Sequence, residues 1–140
     1  MAAIKINDIL DGITLVINAC YPNSRIFSDS VMQGLEPRSF IVTLLTSSIQ
    51  PYPAKAYEML PRFKVSYFPS VGREECYDII DALYDILEVI TLADGSKLRG
   101  SDMNAEIVDG VLHVFVSFNH FAVQPPNGET MDEMKLTQEG

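Results

Sequence analysis

The sequence predicts an α+β fold: a mostly antiparallel sheet packed by two main helices, with a long C-terminal β-hairpin and a polar C-terminal tail. Three observations carry this. Residues 4–20 and 73–90 repeat apolar side chains at helical spacing. The segments between and after them show strand alternation or unbroken β-branched runs. The order is helix, strands, helix, strands, which suits an α+β layer rather than repeated βαβ units. A chain of 140 residues fits one domain with one core. We place that domain at 1–123 and a polar arm at 124–140.

The first helix sets Ile6, Ile9, Leu10, Ile13, Ile17 and Cys20 on one stripe. Gly12 and the β-branched Thr14, Val16 and Ile17 give it weak propensity, so packing must hold it. Tyr21-Pro22-Asn23 ends it, because a residue before proline disfavours the helical region. Residues 25–28 (RIFS) suit a short edge strand, and QGLEP at 33–37 reads as a turn. Phe40 to Leu45 form a nearly continuous apolar run, as in a strand covered on both faces. QPYPA at 50–54 reads as a protruding loop, since proline donates no ladder bond. Residues 62–67 then alternate between a wet and a buried face. Pro61 marks a strand start or bulge, and Pro69 and Gly72 stop the strand.

The second helix, 73–90, lines Cys76, Ile79, Ile80, Leu83, Ile86, Leu87 and Ile90 on one side. Glu74, Asp78, Asp81, Asp85 and Glu88 line the other, as a solvated face or a docking face for a basic neighbour. Asp94-Gly95 and Asp109-Gly110 are tight-turn dipeptides.

Past the second of these turns runs a strand of unusual length and apolarity, 111–123. Its even positions, Leu112, Val114, Val116, Phe118, His120 and Ala122, form a face expected under the helices. Its odd positions are mixed, yet include Phe115 and Phe121. At about 3.3 Å per residue it reaches on the order of 45 Å, longer than most strands. Neither face is fully polar. Either a second copy of the chain covers part of it, or a bend folds it back on its own core.

Composition narrows the function classes. Apolar residues make up 47% and charged residues 21%, so the chain is globular rather than disordered. The net charge of −9 opposes binding to nucleic acid or anionic membranes. The N-terminus MAAIKINDIL does not read as a signal peptide. Cys20 and Cys76 are expected as two buried, reduced thiols on apolar helix faces. His113 and His120 are an odd number of residues apart and point to opposite faces of a regular strand, so they cannot share a metal there. Phosphate-loop, dinucleotide, metalloprotease and nucleophile-elbow motifs are all missing. Ser47 and Ser48 have no identifiable base. We assign no catalytic residue, no cofactor and no metal site.

Several segments together resemble one family. They are MQGLEPRSFIVTLLTSS (32–48), RFKVSYFP (62–69), EECYDIIDALYDILEVI (74–90), LRGSDMNAEIVDGVLHVFVSFNHFAV (98–123) and ETMDEMKL (129–136). In order and wording they are similar to the tail terminator proteins of tailed phages, phage-like elements and phage-tail-like particles of Gram-positive bacteria. The stretch LRGSDMNAEIVDGVLHVFV is the most specific. The family carries no catalytic motif.

The resemblance implies a ring, usually hexameric, on the head-proximal end of the tail tube. Such a ring stops tube polymerisation and offers a face to head-completion proteins; in contractile tails it also meets the last sheath ring. The implied partners are further copies of the chain, the tube protein, and the sheath and neck or connector proteins. DNA would pass through without specific binding. A ring subunit needs two different faces, each burying on the order of 800 Å². The candidates are Pro51, Tyr52 and Pro53 in the loop, Phe115 and Phe121 on the long strand, and Met131 and Met134 in the tail. Two alternatives stay open: a neck or head–tail connector protein one layer higher, and a small ligand-binding or enzymatic α+β domain.

Overall fold

The computed structural model describes residues 4–28 and 37–123. In chain order these form α1 (Ile6–Cys20), β1 (Ile26–Ser28), β2 (Ser39–Tyr52), β3 (Ala56–Phe68), α2 (Arg73–Ile86), β4 (Val89–Thr91), β5 (Lys97–Arg99), β6 (Ser101–Val108), β7 (Val111–Ser117) and β8 (His120–Val123). The main sheet runs β1-β2-β3-β7-β6, and β8 also pairs with β3. Among the described strands, only β1 is parallel to its neighbour. The α+β class with a mostly antiparallel sheet therefore holds.

Alternation along β3 sets the two faces. Phe63, Val65 and Tyr67 point into the core, opposite Phe40, Val42 and Leu44 on β2 and Leu112, Val114 and Val116 on β7. Both helices pack on this face. From α1 come Ile9, Ile13 and Ile17; from α2 and its end come Cys76, Ile79, Leu83 and Leu87. Gly12 lets α1 lie close to the small β4–β5 hairpin, because a Cβ there would press on the tips of Leu92 and Ile90. The weak helical propensity of α1 is offset by this packing.

Four expectations need correction. The second helix ends at Ile86, not at residue 90. Val89, Ile90 and Thr91 are β-branched and pair instead with 97–99 across the Asp94-Gly95 turn. Ile90 still reaches the core from its new strand. Cys20 is exposed at the end of α1, whereas Cys76 is buried as expected. The apolar run at 40–45 is covered on both faces only as far as Val42, and Leu44 and Leu45 are exposed.

The fourth correction concerns QPYPA. β2 continues through Gln50, Pro51 and Tyr52, and a short 3-10 turn at Pro53–Lys55 leads into β3. The segment protrudes, but as the end of a β-hairpin. Proline is tolerated because β1 pairs only with residues 40–42, so β2 beyond that point has β3 on one side and no described strand on the other.

The long strand is interrupted once. Ser117 pairs with Arg62 and His120 with Met59, three steps on each chain, so the register carries straight across the gap. Pro61 faces that gap. It has no N–H to give, although its carbonyl accepts from the Phe118 N–H at 3.1 Å. A β-bulge lies nearby, between Leu44 and Thr46 on β2. The ribbon 111–123 thus stays one surface without folding back.

Candidate assembly surface

Beyond the helices, the sheet extends as an arm: the far half of β2, residues 56–61 of β3, and β8. On one face of the arm the pairing sets Tyr52 beside Ala56, and Glu58 between Gln50 and Phe121. The Tyr52 and Phe121 rings lie 5.9 Å apart. Tyr52 is 43% and Phe121 67% exposed. The Tyr52 hydroxyl donates to Glu58 Oε1 at 3.0 Å, which raises the tyrosine pKa above its ordinary value. Pro51 and Pro53 flank Tyr52 and are exposed. At the tip, Ala54 and Lys55 both hold left-handed backbone, φ 66° and 60°. Such strain in non-glycine residues often marks functional sites.

The opposite face of the arm continues the core face of the sheet. Ile49 pairs with Met59, which pairs with His120; Pro51 pairs with Tyr57, which pairs with Ala122. Ile49 is 54% exposed, so apolar β-surface extends past the helical cover.

Phe115 occupies a separate patch, on the sheet face away from the helices, between Lys64 and Asn104. It is half-buried, and the Arg62 guanidinium lies 5.8 Å from its ring centre. Arg62 Nη1 also donates to Asp102 O at 3.0 Å and Ser117 Oγ at 2.8 Å, and Nη2 to Asn104 Oδ1 at 2.7 Å. These bonds span β3, β7 and β6 where β6 carries a bulge between Ser101 and Asn104. The bulge places Asp102 at φ 51°. In sequence, Arg62 is only one wet position in an alternating run, so nothing marked this role.

The structure thus groups Pro51, Tyr52, Pro53 and Phe121 at the arm tip and sets Phe115 apart. Met131 and Met134, with the rest of the 124–140 tail, lie outside the described residues.

His113, His120 and Glu75 each make hydrogen bonds within the fold, although His120 Nε2 is buried without a partner among the described residues. His113 Nδ1 shares a 2.8 Å hydrogen bond with Ser66 Oγ, and burial followed by the nearby Lys64 lowers its pKa. His120, on the other face, donates from Nδ1 to Phe118 O at 3.0 Å. Glu75 stands in the first turn of α2. It accepts from the Tyr67 hydroxyl, from the Ser70 hydroxyl at 2.9 Å and N–H at 3.1 Å, and from the Val71 N–H at 3.0 Å. Burial pushes its pKa up, but these bonds outweigh burial and hold the carboxyl below its ordinary value. The acidic stripe on α2 is exposed throughout. Among the described residues, no group of three His, Cys, Asp or Glu could hold a metal ion, and no helix is long and apolar enough to cross a membrane.

Residues 8–130 match the profile of a family described as phage tail terminator protein. The chain belongs to the phage tail terminator family. Its role is therefore that of a structural protein of a phage-type tail, and its place is in such a particle. Among solved structures, this chain is similar to a chain from the virion of a native gene transfer agent particle. Identity is 12% and the TM-score 0.51, covering 81% of this chain and 92% of that one. That likeness supports the fold. A second solved chain is 13% identical with a TM-score of 0.47, covering 88% of this chain and 98% of its own length. No curated protein matches the chain.

Proposed function

We propose that the terminator forms a closed ring, six copies in the reading its family suggests, on the head-proximal end of the tail tube. There it stops tube growth and joins the tail to the neck; in a contractile tail it also meets the last sheath ring. The match over residues 8–130 carries this reading. The arm supports it physically. Exposed apolar strand surface on Ile49, Tyr52 and Phe121 is costly to leave in water, at roughly 25 cal/mol per Å². Identical neighbours in a ring are the simplest cover. Pro51, Tyr52, Pro53 and Phe121 would take one intersubunit face, with Phe115, Met131 and Met134 as further contacts. The net charge of −9 suits passage of DNA through the ring without adhesion.

The test is polymerisation of the cognate tube protein in vitro. Added terminator should halt elongation and decorate one end of each tube in electron micrographs. Tubes that grow to the same length with and without it would refute a terminating role.

A further inference from the structure

α1 and β1 border a groove of about 280 Å³, lined by Asp11, Thr14, Leu15, Asn18, Ser24 and Ile26. Leu15 is 63% exposed on its wall, with the partly buried Ile26 also lining the groove. Asp11 has no ion-pair partner among the described residues. At the far end of the molecule the arm tip presents the complement. It offers the exposed Tyr52–Phe121 ring pair and the exposed Lys55, likewise without an ion-pair partner among the described residues.

The two ends cannot meet within one copy. Ile26, in the groove, pairs with Phe40 at the base of β2, and Tyr52 closes the same strand. Twelve residues of strand separate the two levels, on the order of 40 Å. A knob and a groove of matching chemistry at opposite ends of one chain define a head-to-tail contact, which closes into a ring or runs into a filament.

We propose that the arm tip of one copy seats in the α1–β1 groove of the next. The Tyr52 and Phe121 rings lie against Leu15 and Ile26, and Lys55 pairs with Asp11. The occupant is a second copy rather than the tube protein because knob, groove and both charges belong to one sequence. This contact rests on the reading of a ring of identical copies and says which surfaces close it.

Charge exchange in the full-length protein tests it. Lys55→Glu, Asp11→Lys and the double variant would be compared with wild type by sedimentation velocity over a concentration series. Each single change should raise the concentration needed for half-assembly on the order of tenfold, as for close interfacial charge pairs. The double variant should return to within about threefold of wild type. Wild-type assembly by either single variant, or no recovery in the double, would overturn the contact while leaving the ring intact. A wild-type protein that stays monomeric throughout would overturn the contact and the ring together.

Discussion

Tyr52 and Phe121 lie 69 positions apart in sequence, yet their rings stand 5.9 Å apart on one exposed face of the arm. The hairpin of β2 and β3 brings the first, and β8 pairing on the other edge of β3 brings the second. Phe121→Asp should leave the subunit folded, within about 0.5 kcal/mol of wild type, because the ring is mostly exposed. It should weaken self-association strongly. Urea unfolding and sedimentation on the same samples would separate the two effects.

Arg62 joins three strands through three hydrogen bonds and covers Phe115. Arg62→Ala should cost about 1–3 kcal/mol of folding stability. Arg62→Lys should recover little of it, since a single ammonium cannot reproduce the planar fork. Phe115→Asp should lower folding stability as well as any assembly, in contrast to Phe121→Asp. Denaturation midpoints of the four variants would check this order.

Gly100 donates its N–H to Glu88 O at 2.9 Å, where the chain passes under the end of α2. A Cβ on Gly100 would overlap the Leu87 carbonyl oxygen and crowd Val116. Gly100→Ala should therefore destabilise by about 1–3 kcal/mol, as overpacking does, and a thermal melt would show it. Gly95, with open space around it and φ 92°, should lose less on the same change, through backbone strain alone.

Glu75 is held below its ordinary pKa by hydrogen bonds to its carboxylate. A folded value below the unfolded one favours the charged form on folding. The resulting stability is complete above the unfolded value and is lost as pH falls through the folded value. The stability difference between wild type and Glu75→Gln should shrink from about pH 7 to about pH 3. A difference that stays constant would show that the carboxylate charge contributes nothing.

Much of this was legible in residue patterns. The core faces of both helices followed from periodicity, and the even face of 111–118 was buried as the alternation required. The boundaries were less legible where two rules competed. At Val89–Thr91 the apolar stripe continued the helical spacing, but β-branched side chains and the Asp94-Gly95 turn favoured a hairpin. At Gln50–Tyr52 the prolines argued against a strand, and the open edge of β2 removed the objection. Cys20 fell on the stripe but is exposed, and at this end of α1 it is the neighbouring Tyr21 whose ring packs on Phe40. The bulge in β6 and the Arg62 bonds that hold it depend on contacts across forty residues or more, which local pattern cannot carry.

The proposed closed ring is tested most directly by the mass of the purified protein in solution, by native mass spectrometry or sedimentation equilibrium. A single closed species of six 15.6 kDa chains, persisting on dilution, is the expected result. A monomer at every concentration, or an open series of ever longer oligomers, would contradict it.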